Sequence, residues 1–256
     1  MKRIHLFELA DQPWFPRTLA DGGTAYLHAL QARAGVEAAL VPLFRHALDR
    51  SGAVRIVDLC SGGGGPTPGV RARLAADGLD LPVVLTDLQP NGSSLAARTD
   101  EPSVSMYDTP VDARRVPDGL AGLRTICNAF HHFGTEDARR ILSDAQQAGQ
   151  PVLIIELSER TWVNLTLGTL FIPLMVALVM PLVRPVRAGW LLLTYLLPVL
   201  PWTIAWDGWV SHWRTYSLAE QTELIAPLHR PDWTWDMGQT RLGPGHITWL
   251  LGHPSL

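Results

Sequence analysis

Apolar positions change their rhythm twice along this chain. Over residues 1–50, Leu27, Leu30, Ala34, Ala38 and Val41 recur at three- and four-residue spacing, which predicts helices. From residue 53 onward, short apolar runs alternate with helical ones. Val54–Cys60, Val83–Thr86, Val104–Tyr107, Arg124–Asn128 and Pro151–Leu157 read as strands. Segments 67–77, near 92–98 and 135–148 read as helices, the last capped by Thr135. Pro151–Leu157 is apolar almost throughout, as expected for a strand covered on both faces. The alternation predicts an α/β fold with a doubly wound, mostly parallel sheet. After the fifth strand the rhythm stops. It resumes with a helix from about Ser217, a strand over 232–240 and a last strand over 246–251. No internal repeat or low-complexity linker separates these blocks. The expected organisation is an N-terminal helical cap (1–50), one sheet domain (51–160 and 207–256) and an insertion within it (161–206).

The insertion carries only two charges, Arg184 and Arg187, and no acidic residue. Val163–Val183 and Ala188–Trp206 are free of charge, and as helices they would measure about 31 Å and about 28 Å, close to a hydrocarbon core. Arg184-Pro185-Val186-Arg187 forms the bend of this apolar helical hairpin. Trp162, Trp190, Trp202 and Trp206 sit near its ends, as interfacial anchors do. Pro173, Pro181, Pro185, Pro198 and Pro201 predict kinked or broken helices. Full spanning would carry both arginines across the bilayer, against the positive-inside tendency, so a shallow hairpin with snorkelling arginines is expected. The alternatives are burial in a homodimer or as a lid over an apolar substrate; an apolar surface of this size needs a cover.

Charge and cysteine content narrow the partners. The chain has 24 Asp and Glu against 21 Lys and Arg, so no broad basic face for nucleic acid is expected. Cys60 and Cys127 lie in strand-like runs and are expected as free thiols. Met1-Lys2-Arg3 resembles the start of a signal peptide, but Glu8 and Asp11 interrupt what would be its apolar core.

The first strand runs into Val57-Asp58-Leu59-Cys60-Ser61-Gly62-Gly63-Gly64-Gly65-Pro66. A tight strand-to-helix turn uses residues without Cβ atoms to reach positive φ and to let backbone amides approach a ligand. Counted from Gly62, the dinucleotide pattern lacks its third glycine, and the acid before the turn suits a ligand with a cationic amino group. Strand, acid and glycine-rich turn resemble the first motif of class I S-adenosylmethionine-dependent methyltransferases, with Cys60 in place of the first glycine. Val83-Val84-Leu85-Thr86-Asp87-Leu88, Val111-Asp112-Ala113 and Asn128-Ala129-Phe130-His131-His132-Phe133 follow in the order of that family's later motifs. The resemblance covers about residues 50–160, and more weakly 207–256. It implies a Rossmann-like fold and S-adenosyl-L-methionine as cofactor. Asp58, Cys60, Ser61, Gly62 and Gly64 would then face the methionine end. Asp87 and Leu88 would lie at the ribose, Asp112 and Ala113 at the adenine, and Asn128 beside the cofactor. Asp112 as an ordinary solvated acid, and Cys60 as a packing residue, are the plain alternatives.

Candidates for the chemistry are His131 and His132, placed where open α/β sheets bind ligands and able to take a proton from an acceptor. Wall or strand-end roles are the alternative for both. Arg214 is a candidate clamp for a carboxylate or phosphate, with an Asp207 pair as its structural alternative. Residues 8–17 resemble the lid of related methyltransferases. No metal-ligand set is expected. The expected activity is methyl transfer to a lipophilic small molecule (a quinone, phenol, polyketide or lipid) by a membrane-associated enzyme whose catalytic domain is cytoplasmic. Competing readings are a membrane-associated S-adenosylmethionine-binding partner without transferase activity, and an NAD(P)-dependent oxidoreductase with an atypical glycine loop.

Overall fold

A computed structural model describes residues 1–62, 64–90 and 101–255. Gly63 and the helix expected near 92–98 lie outside the described residues. The chain forms two compact units, Gly35–Leu157 with Ser217–Leu256, and Met1–Ala34 with Ser158–Tyr216.

The first unit is a seven-stranded sheet. Its parallel part comprises β1 (Ile56–Asp58), β2 (Val83–Leu85), β3 (Val104–Met106), β4 (Leu123–Cys127) and β5 (Val152–Glu156). β6 (Trp233–Leu242) and β7 (Gly245–Pro254) form a terminal hairpin, and β7 pairs antiparallel with β5. The strand order is β3-β2-β1-β4-β5-β7-β6. Chain order reverses beside β1, and such switch points are where open α/β sheets place ligands. Across the hairpin Trp249 faces Gly238 and Trp235 faces Gly252, so each ring lies against bare backbone.

Helix α2 (Val36–Ser51) buries Val36, Leu40, Leu43, Phe44, Ala47 and Leu48 in this unit, together with Val70 and Leu74 of α3 (Thr67–Ala76). They share one core with Leu153 and Ile155, while Val152 and Ile154, on the opposite pleat, are equally enclosed. Each such side chain contributes on the order of 2 kcal/mol. Thus α2, grouped by sequence with the N-terminal cap, lies in the sheet unit. α4 (Thr135–Gln147) does not use a Thr135 cap. Gly134 holds the N-cap position in extended backbone without a side-chain bond, and Glu136 and Asp137 complement the dipole from the first turn.

The second unit is helical. α1 (Arg17–Arg33) precedes the insertion in the chain. The insertion starts with a continuous helix, Asn164–Leu182, whose π-helical turn Asn164–Gly168 leads into α5 (Thr169–Val179). The arm expected over 188–206 is not one helix. α6 (Ala188–Leu191) with a π-helical turn (Leu192–Leu196) is bent 83° from α7 (Val199–Arg214). Pro198 causes the break: it lacks an amide proton and pushes Leu197 out of helical backbone, to φ −121°, ψ 85°. α8 (Leu218–Ile225) returns the chain to the sheet unit, its start fixed by a capping box between Ser217 and Glu220.

Tyr26, Val176, Val179, Met180, Val183, Trp190, Leu200 and Ile204 form this unit's core. Trp190, expected as an interfacial anchor, is therefore buried, and its indole donates to the Thr18 carbonyl at 3.0 Å. Trp162, Trp202 and Trp206 are exposed. Leu167, Leu170, Phe171, Leu174, Leu178 and Leu182 are exposed along the other side of the long helix, at three- and four-residue spacing.

Candidate active site

The glycine turn is assembled by backbone bonds among three neighbouring strands. Leu59 donates to the Thr125 carbonyl, Ser61 to the Thr86 carbonyl, and Thr86 back to the Asp58 carbonyl. Cys60 adopts φ +55° here, the left-handed conformation that explains why glycine suits this place. Its thiol is free, and burial, with Asp87, Asp58 and Asp112 nearby, pushes its pKa far above the ordinary thiol value. A resting thiol in that setting is a packing group, not a nucleophile. Gly62 follows at φ +53° and Gly64 at φ +103°. A Cβ built on Gly62 meets nothing within 4 Å, so open space lies before this backbone.

Asp58 sits beneath the turn, 1% exposed, and accepts a hydrogen bond from the Thr125 hydroxyl. Burial pushes its pKa up to about 7, with Thr125 and Thr67 pulling it down and Asp87 adding a smaller rise. Asp87 follows β2 and spans the site. Its Oδ2 accepts from the Gly62 amide at 2.8 Å, and its Oδ1 from the Gln89 amide at 2.9 Å. Leu88 is 59% exposed beside it, a bare apolar side chain at the mouth of the sheet. Asp112 is gripped by Arg114, whose Nε and Nη2 reach its two oxygens at 2.9 and 2.7 Å, and its carboxyl is held below the usual range by those bonds. Ala113 is buried behind it.

Asn128 ends β4 at φ +54°. Its side-chain oxygen accepts from the Leu157 amide at 3.2 Å and ties β4 to β5. The sharp bend turns Phe130–His132 into a short 3-10 helix. His131 is buried, with Nδ1 2.7 Å from Glu156 Oε2 and its amide donating to Glu156 Oε1 at 2.9 Å. These two contacts to one carboxylate fix the orientation of the imidazole ring. His132 lies alongside, ring centroids 4.4 Å apart, and is half-buried. Sequence reasoning missed Glu156, although it is the first charge after four apolar residues of β5, at the edge where ligands bind.

Arg214 belongs to the helical unit and does not pair with Asp207. Its guanidinium meets Glu8 at 3.0 Å and Asp11 at 2.9 Å. Asp207 instead accepts from the amides of Leu9 and Ala10. Residues 8–11 are thereby strapped along α7.

No family model matches the sequence, and no match was found among curated proteins. The fold has clear counterparts among solved structures. A plantazolicin methyltransferase, BpumL, in complex with S-adenosylhomocysteine aligns over 96% of this chain and 93% of its own, with TM-score 0.55 and 13% identity. Mitomycin 7-O-methyltransferase MmcR aligns over 96% of this chain, with TM-score 0.52 and 18% identity. Human N-acetylserotonin methyltransferase with bound S-adenosylmethionine aligns over 92%, with TM-score 0.53 and 12% identity. This chain spans 60% and 57% of the latter two proteins. The fold is therefore the Rossmann-like α/β fold, with a mostly parallel seven-stranded sheet, that these methyltransferases share and that the motif order implied.

Proposed function

We propose that this protein transfers a methyl group from S-adenosyl-L-methionine to a lipophilic small molecule at a membrane surface. The observation that carries the reading is the open glycine turn at the switch point, braced by Asp87 and underlain by Asp58. The donor set fits this cofactor. Asp87 is an acid at the end of β2, able to accept from vicinal ribose hydroxyls, and Asp58 supplies negative charge beneath the end that bears an ammonium group. The third position of the dinucleotide pattern is the buried Thr67, which argues against NAD(P).

When bound, S-adenosylmethionine supplies an activated methyl group on sulfur. The chain's own part is alignment and proton management. Gly62 leaves open space before the turn, without side-chain obstruction, and its own amide is held by Asp87. Glu156 fixes the His131 ring, the imidazole we assign to proton transfer with an acceptor hydroxyl. Leu88 offers an apolar contact. The membrane part rests on Asn164–Leu182, whose mean hydropathy is 2.2 and which is only 22% buried, unlike the enclosed core helix of a soluble protein. The 83° bend in the return arm favours a hairpin lying in the interface over two crossings.

Binding of S-adenosylhomocysteine and of NADH, followed by product analysis with a labelled methyl donor and lipid extracts, tests the reading. Binding of the first without the second, with label in an extractable product, is expected. Preference for NADH overturns it; tight binding without any labelled product favours a partner protein.

A further inference from the structure

Three guanidinium groups surround the tip of the apolar hairpin. Arg33, at the end of α1, donates to the Leu182 carbonyl at 3.2 Å. Arg184 donates to the carbonyls of Pro181 and Val183. Arg187 lies 4.6 Å above the Trp190 ring. All three side chains are exposed, and among the described residues none pairs with a carboxylate. The sequence supplies no acid between Thr161 and Trp206. The same hairpin leaves Leu178, Leu182, Val186 and Leu192 exposed, with Leu182 at the carbonyl that Arg33 holds and Val186 next to Arg187 in the chain.

An apolar stripe bordered by unpaired arginines has one complementary surface, acyl chains bordered by anionic headgroups. Water alone leaves the stripe uncovered. A second copy of this surface would bring two sets of arginines together, so like charges oppose self-pairing. We infer that the hairpin tip docks on anionic phospholipid, with Arg33, Arg184 and Arg187 contacting the headgroup phosphates while the leucines enter the acyl layer. This rests on the membrane reading and adds the lipid class and the residues that select it.

The test is flotation of the full-length protein with phosphatidylcholine vesicles and with vesicles containing phosphatidylglycerol, at low and high salt. The wild type should prefer the anionic vesicles by roughly fivefold for each arginine engaged, the ratio that about 1 kcal/mol corresponds to. Salt should erase that preference. Arg33→Gln/Arg184→Gln/Arg187→Gln should bind neutral vesicles as before and lose the preference. Equal wild-type binding to both vesicle types, or a triple variant that still prefers anionic ones, overturns the proposal and leaves the membrane reading standing. A protein that floats with neither, including one that forms a detergent-free dimer, overturns both. Thermal denaturation and S-adenosylhomocysteine binding establish that the triple variant is folded.

Discussion

Within ten residues of each other the chain uses apolar side chains in opposite ways. Val152, Leu153, Ile154 and Ile155 of β5 are enclosed on both pleats, whereas the helix Asn164–Leu182 turns Leu170, Phe171, Leu174 and Leu178 outward. In the sheet unit, burial is a means to an end: the packed strands hold Asp58, Asp87, Asn128 and Glu156 at fixed spacing near their carboxyl ends. In the helical unit the apolar face is exposed, and in the function proposed above that face is itself the working surface. Enclosure sets geometry, and on that proposal exposure sets location. The two units should therefore fail in different assays.

The largest effect separates location from chemistry. Leu170→Asp with Leu174→Asp places two charges on the outward stripe. Taking about 2 kcal/mol per charge, somewhat below the bilayer-centre value, membrane partition should fall by roughly 10³-fold. Binding of S-adenosylhomocysteine should be unchanged in the released protein. Retention of the double variant in the membrane pellet after a salt wash would break the comparison. Next, Gly62→Val should weaken cofactor binding by about 100-fold or more without moving the protein off the membrane, because a β-branched residue strains at positive φ and enters the open space. Normal calorimetric binding by that variant would assign the turn another task.

A comparable loss is expected in turnover alone. His131→Ala should reduce methyl transfer by about 10²-fold while cofactor affinity persists. Glu156→Gln should reproduce much of that loss and move the pH–rate profile, since an amide replaces the carboxylate that orients the ring. A Glu156→Gln enzyme with full rate and an unmoved profile would make the pair structural.

The smallest effect is a slope. The folded protein holds the Asp58 carboxyl near pKa 7, above its unfolded value of about 4, so ionisation opposes folding. The stability contribution is present at low pH, declines between about pH 4 and 7, and is absent above. A cationic ligand end favours the ionised form, so affinity for S-adenosylhomocysteine should rise several-fold from pH 6 to 8. Asp58→Asn should flatten both slopes; a wild-type affinity independent of pH would remove Asp58 from the ligand's field.

Much of the sheet was legible because each strand is a short apolar run between polar turns, and the glycine turn because few side chains allow positive φ. What escaped was pairing over distance. Nothing in the local pattern of Thr-Ile-Cys-Asn or Val-Leu-Ile-Ile-Glu says that His131 and Glu156 meet, because sheet order decides it. The exchange of partners around Arg214 and Asp207 was hidden for the same reason: Glu8 and Asp11 lie about two hundred residues away. The break in the second arm was visible only in part. Pro198 and Pro201 announced a kink, but its place at Leu197–Pro198 depends on which turns the core retains.

The hydrogen bond from the Gly62 amide to Asp87 Oδ2 joins the two contact points proposed for the cofactor, one toward the methionine end and one toward the ribose. Because one carboxylate serves both, the site should be energetically cooperative. A change at Asp87 also loosens the turn, and a change at Gly62 also misplaces the acid. The affinity losses of Asp87→Ala and Gly62→Ala should therefore sum to more than the double variant's loss, a thermodynamic coupling measurable in a double-mutant cycle.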